Sequence, residues 1–137
     1  MPTVGRVLET SLYVDQLDRS ILFYERLFRF PKLFSDQRFC ALNVCDQQVL
    51  LLFLKGGTTE PVRMPGGVLP PHDGAGQMHL AFSIAAEDEE EWTRSLRDAN
   101  VPIESRVTWP LGGFSLYFRD PDGNLLELVS PGCWAMY

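Results

Sequence analysis

Glu9-Thr-Ser-Leu-Tyr-Val14 and His79-Leu-Ala-Phe-Ser-Ile84 are two short strands of one design, and their likeness decides the fold. They share length and apolar placement, and they stand 70 residues apart in a chain of 137. Self-similarity at half the chain length predicts a duplicated unit. An amphipathic helix follows each strand. In the first, Leu17, Ile21, Tyr24 and Phe28 recur at helical spacing, Phe23 and Leu27 widen the face, and Asp18 is the expected N-cap. In the second, Trp92, Leu96 and Ala99 recur at helical spacing. Glu87 to Glu91 crowd its first turn, where negative charge suits the helix dipole.

Each helix ends near a proline, at Phe30-Pro31 and Val101-Pro102, and three strand-like runs follow. In the first half they lie near Lys32–Phe34, Phe39–Val44 and Gln48–Leu54; in the second, near Ile103–Thr108, Phe114–Arg119 and Leu125–Val129. Asp120-Pro-Asp-Gly123 is a strong hairpin turn, because Pro presets φ and Gly accepts positive φ. Asp46-Gln47 does the same job less clearly. The expectation is one α+β domain of two β-α-β-β-β modules: about 5–54, a joining segment 55–77, a second module 78–131, and a tail 132–137. The joining segment is rich in Gly and Pro, and it is either a linker or a loop that covers a pocket. His72-Asp73 in its middle faces either a ligand or water.

Bulk composition excludes several classes. Hydrophobic residues make up 45%, enough for a core. A net charge of −6 without a basic run argues against nucleic acid or an anionic membrane surface as partner. Runs such as Val49–Leu54 are too short to span a bilayer, and Met-Pro-Thr-Val-Gly-Arg at the start has no signal-peptide core. Cys40, Cys45 and Cys133 are an odd set without metal-finger spacing, which fits free thiols in a reducing cytoplasm.

Three segments together resemble the vicinal oxygen chelate superfamily of glyoxalases, bleomycin resistance proteins and extradiol dioxygenases. They are Leu12 to Phe28 with its Phe23-Tyr24 pair, Gly76-Gln-Met-His-Leu-Ala-Phe82, and Ser115-Leu-Tyr-Phe-Arg-Asp-Pro-Asp-Gly-Asn-Leu-Leu-Glu-Leu128. The resemblance implies two β-α-β-β-β modules whose mixed sheets curl around a cavity, commonly in a homodimer. It also implies a divalent metal ion (Mn, Ni, Zn, Mg or Fe) that holds neighbouring oxygens of a small-molecule substrate. Carried over by position, the ligands are Glu9, His79 and Glu127, with Glu127 also the catalytic carboxylate. Aligning Asp122–Val129 on Asp46–Phe53 sets Leu51 opposite Glu127, so the fourth corner is empty.

One His and two carboxylates differ from the two-His, one-carboxylate set of non-haem iron oxygenases and lean toward harder ions. The implied activity is a lyase, isomerase or dioxygenase. The alternative is a metal-free protein that binds a small molecule or antibiotic, as bleomycin resistance proteins do. Gly113, Ser115, Tyr117 and Phe118 match a pattern of the fosfomycin enzymes, yet Leu128-Val-Ser-Pro-Gly-Cys-Trp134 has no basic residue for a phosphonate. Glu9 has an ordinary alternative as a partner of Arg38 or Arg106, and His79 as a core histidine. Around the site, Arg106, Trp109, Ser115 and Tyr117 are expected to bind substrate. Arg106 suits a bidentate carboxylate contact, or else pairs with Glu9 or Glu104. Trp134 and Tyr137 either cap a pocket or dimer interface or dock on their own domain.

Overall fold

Alternation sets both sheets. In β1 (Glu9–Val14) Leu12 and Val14 are buried, while Glu9, Ser11 and Tyr13 take the other face. In β4 (Gln48–Leu54) Leu50 and Leu52 are buried in the same way. The computed structural model describes residues 1–137, and these fall into two units, Met1–Ala75 and Gly76–Tyr137.

The first unit adds α1 (Leu17–Phe28), β2 (Lys32–Ser35) and β3 (Phe39–Val44). Its sheet runs β1-β4-β3-β2, with β1 parallel to β4 and the other pairs antiparallel. Ile21, Tyr24 and Leu27 form the buried stripe of α1, which packs against β3 and β4. Buried Leu12, Leu42, Leu50 and Leu52 supply the core, each worth about 1.5–3 kcal/mol on full burial. The helix begins one turn earlier than the Asp18 cap would place it: Gln16 is the N-cap, and Asp18 sits inside the first turn. The β3–β4 turn is built on Cys45 and Asp46, both at positive φ. Reciprocal hydrogen bonds between Asn43 and Asp46 make that conformation tolerable.

The segment after β4 is not without structure. Val62–Met64 (β5) and Gly67–Leu69 (β6) form a small antiparallel hairpin around Pro65-Gly66.

The second unit repeats the order of the first. Its strands are β7 (His79–Ser83), β8 (Ser105–Thr108), β9 (Phe114–Arg119) and β10 (Leu125–Val129), arranged β7-β10-β9-β8 with β7 parallel to β10. The helix α2 (Glu89–Asp98) lies between β7 and β8, with Leu96 fully buried. The matching strand order bears out the α+β fold of two curled mixed sheets. The Asp120–Gly123 turn closes as expected: the Asp120 carboxylate accepts the Asp122 and Asn124 backbone N–H groups, and Gly123 sits at φ 81°. Tyr137 docks back on its own unit, its hydroxyl donating to the Val129 carbonyl at 3.1 Å, while Trp134 stays exposed.

Candidate metal and substrate site

Glu127 is the anomaly of β10. Its neighbours Leu126 and Leu128 fill the core, and alternation turns Glu127 to the opposite face, yet it is only 6% exposed. A carboxylate there needs partners, since burying an unpaired charge is costly. Register supplies them: Glu127 lies between Ala81 of β7 and Tyr117 of β9, and Val129 pairs with Ser115.

One carboxylate oxygen is fully engaged. Glu127 Oε1 accepts from the Tyr117 hydroxyl at 3.1 Å and, by a very short bond, from the Ser115 hydroxyl. The Trp109 indole N–H donates to Ser115 Oγ at 2.7 Å. Ser115 has one proton to give, so accepting from Trp109 directs that proton onto Glu127. Burial, and then the Glu127 carboxylate, push the Tyr117 phenol above its ordinary pKa, so it remains a donor. The Cys133 thiol is raised in the same way, first by burial and then by Glu127.

The other oxygen faces a histidine. His79 Nδ1 lies 2.9 Å from the Leu125 carbonyl, which can only accept, so Nδ1 carries a proton. The neutral ring then presents its lone pair at Nε2, and Nε2 stands 3.1 Å from Glu127 Oε2. Two lone pairs facing each other at that distance require a positive centre, either a proton or a metal ion. Two donors about 2.1 Å from a shared ion lie roughly 3.0–3.4 Å apart at ordinary coordination angles. The spacing therefore fits a divalent ion. So does the second set of contacts, in which a backbone carbonyl fixes the His tautomer and hydroxyls hold the carboxylate. The His79 side chain is 51% exposed, so the pair is open to solvent.

The remaining candidates fall elsewhere. Arg106 pairs with Leu116, one register step from the Glu127 row, and so projects from the other face of the sheet. There it grips Glu89 of α2 with both arms, at 2.5 and 3.1 Å, and lies over the Phe114 ring. Neither Glu9 nor Glu104 is its partner; Glu104 is held by Arg119. Glu9 opens β1 in the first unit, and Arg38 pairs there with Asp36. No three His, Cys, Asp or Glu side chains of the chain gather into a group able to hold a metal ion. Leu51 pairs with Ser11 and Ala41 as Glu127 pairs with Ala81 and Tyr117, so the structure keeps leucine at the corresponding corner.

A feature without a sequence motif is His72. It lines a cavity on the first unit's sheet together with Glu9, Leu51 and Phe53. Its Nδ1 is 2.6 Å from the Tyr13 hydroxyl. Only its polarity inside a Gly/Pro-rich segment marks it in the sequence.

The model of the Glyoxalase/Bleomycin resistance protein/Dioxygenase superfamily matches residues 6–128. Among curated proteins, the chain is 45% identical over 51 residues to the metallothiol transferase FosB of Staphylococcus saprophyticus, a stretch covering 36% of this chain and 34% of that protein. The chain thus matches only about a third of the length of that relative. A longer match, 24% identical over 127 residues, links it to the metallothiol transferase FosB of Shouchella clausii, covering 91% of this chain and 80% of that one. Among solved structures, a lactoylglutathione lyase from Agrobacterium tumefaciens superposes with a TM-score of 0.88 at 28% identity, covering 98% of this chain and 99% of that chain.

Proposed function

The chain belongs to the Glyoxalase/Bleomycin resistance protein/Dioxygenase superfamily, and on that premise we propose that it is a metalloenzyme of lyase or isomerase type acting on a small oxygenated molecule. The observation that carries this reading is the His79–Glu127 pair, with Nδ1 and Oε1 tied back so that Nε2 and Oε2 converge. Glu9 is proposed as the third ligand, contributed by a second copy in a homodimer, because no such trio gathers within one chain. When bound, a divalent ion would supply Lewis-acid stabilisation of negative charge developing on neighbouring substrate oxygens.

The residues of this chain have distinct parts in that scheme. His79 and Glu127 hold the ion. Ser115 and Trp109 act as positioning residues, because their hydrogen bonds stop the Glu127 carboxylate from rotating. Tyr117 shares that task and, as a half-buried phenol that keeps its proton, stands beside the site as a donor to a substrate oxygen. The likeness to a lactoylglutathione lyase supports lyase or isomerase chemistry ahead of dioxygenase chemistry. The single histidine supports the same order, since iron oxygenases use two. All three cysteines are free, and no helix is long and apolar enough to cross a membrane; the free thiols support a cytoplasmic location.

The test is metal binding. Metal-stripped protein is titrated with Mn²⁺, Ni²⁺, Zn²⁺ and Fe²⁺ by calorimetry and thermal shift. The expected result is one ion per chain, a raised Tm, and loss of both in Glu127→Gln. Absence of binding and of any shift with all four ions would sink the proposal.

A further inference from the structure

The first unit carries a built cavity that the metal chemistry does not use. Its volume is about 250 Å³. That is below the roughly 300 Å³ at which pockets for drug-sized molecules begin, so the space suits one ring with a short substituent. Phe39, Leu51 and Phe53 form one wall, and Val62, Leu69 and His72, from the hairpin and the residues after it, form another. Phe39 and Phe53 are tilted neighbours at 5.4 Å, and His72 stands edge-on to Phe53 at 4.6 Å. Offset stacking on this pair is the favoured geometry for an inserted aromatic ring.

His72 is anchored for a purpose other than filling space. Its backbone N–H donates to the Thr58 carbonyl at 2.9 Å, and the buried Thr58 hydroxyl donates to the His72 carbonyl at 2.5 Å. The Tyr13 hydroxyl meets Nδ1 at 2.6 Å. Burial, and then the Asp73 carboxylate, raise the Tyr13 pKa, so the phenol keeps its proton and donates it. The neutral ring then accepts at Nδ1 and carries its own proton at Nε2, leaving one directed N–H donor at the cavity. Charge selects further. Glu9 and Glu60 line the space, and the only guanidinium there, on Arg38, lies 3.9 Å from Asp36. An anionic ligand is disfavoured.

We propose that this cavity binds a small neutral aryl carbonyl, its ring against Phe39 and Phe53 and its carbonyl oxygen accepting from His72 Nε2–H. The site stands apart from the metal reading: it needs neither an ion nor Glu127.

Full-length ¹⁵N-labelled protein is titrated with acetophenone, ethylbenzene and benzoate, followed by amide chemical shifts. Acetophenone shifts the amides of Phe39, Leu51, Phe53 and His72 and binds more tightly than ethylbenzene, which lacks the acceptor, and than benzoate, which is charged. His72→Ala weakens acetophenone by about three- to tenfold, the worth of one hydrogen bond, and leaves ethylbenzene unchanged. Leu51→Trp, which fills the space, abolishes binding of both. Glu127→Gln changes none of these affinities, so failure here leaves the metal proposal standing, and the reverse. Shifts confined to residues 76–137, ethylbenzene or benzoate binding as tightly as acetophenone, or an unchanged acetophenone affinity in His72→Ala would overturn the assignment.

Discussion

Ser115→Ala tests how the Glu127 carboxylate is held. Ser115 is fully buried and is the only link between the Trp109 indole and Glu127 Oε1. Removing its hydroxyl deletes one of the two donors to that oxygen. A hydrogen bond to a charged acceptor contributes about 1.5–3 kcal/mol net. The Trp109 N–H, on a half-buried ring, recovers water, so its loss adds only about 0.5 kcal/mol. Unfolding free energy should fall by roughly 2–3 kcal/mol, within the 5–15 kcal/mol typical of a domain, so the variant stays folded. At about 4 °C per kcal/mol for a chain of this size, Tm falls by roughly 8–12 °C. The larger signal is in metal binding. Partners that orient a ligand are worth about 10- to 100-fold in affinity, so calorimetry with Mn²⁺ should show Kd weakened by that factor. Tyr117→Phe removes the longer bond, at 3.1 Å, and should weaken binding less. A Ser115→Ala protein that loses stability but binds Mn²⁺ within twofold of the parent would refute the argument that Ser115 positions the ligand.

Other outcomes follow from the same geometry. A Cβ on Gly113 would stand 2.6 Å from the Gly132 carbonyl carbon and 2.7 Å from the Pro131 oxygen, both backbone. Gly113→Ala should therefore cost roughly 1–3 kcal/mol or more in urea unfolding, and a neutral result would mean the turns part freely. Arg106 lies on the face away from Glu127, so Arg106→Ala should leave metal affinity unchanged; a tenfold loss would contradict the register. The Arg106 guanidinium holds the Glu89 carboxyl below its usual range, first through their hydrogen bond and, against the opposing effect of burial, through their attraction. With the folded pKa below the unfolded one, the pair stabilises the fold above about pH 4.3, and this is lost as pH falls through the folded value. The stability gap between parent and Arg106→Ala, small for so exposed a pair, should be present at neutral pH and vanish in acid; a gap that widened in acid would reverse the sign.

Much of the fold was legible because periodicity reports on it directly. Phe39–Val44, Phe114–Arg119 and Leu125–Val129 are strands at the positions their sequence predicts, since each is bounded by turn residues. Glu127 stood out as a charge inside an apolar strand, and its burial follows from alternation. The hairpin at Val62–Leu69 was not legible, because strands of three residues carry no period and sit in a Gly/Pro-rich stretch. The place of Arg106 on a strand was readable, but its face depends on register, and one step moves a side chain to the other side of the sheet. Its partner Glu89 could not be read, because the contact is set by how α2 meets β8. His72 has no neighbouring motif. Its role comes from Thr58 and Tyr13, which are distant in sequence and adjacent only after folding.

The central claim is that His79 Nε2 and Glu127 Oε2 converge on a divalent ion. The most direct measurement is anomalous diffraction from crystals of the full chain grown with Mn²⁺. The account predicts one anomalous peak within about 2.0–2.3 Å of both atoms, with a carboxylate from Glu9 completing the set. A crystal in which His79 and Glu127 keep their 3.1 Å contact with no peak beside them, while Mn²⁺ is found elsewhere or nowhere, would contradict it.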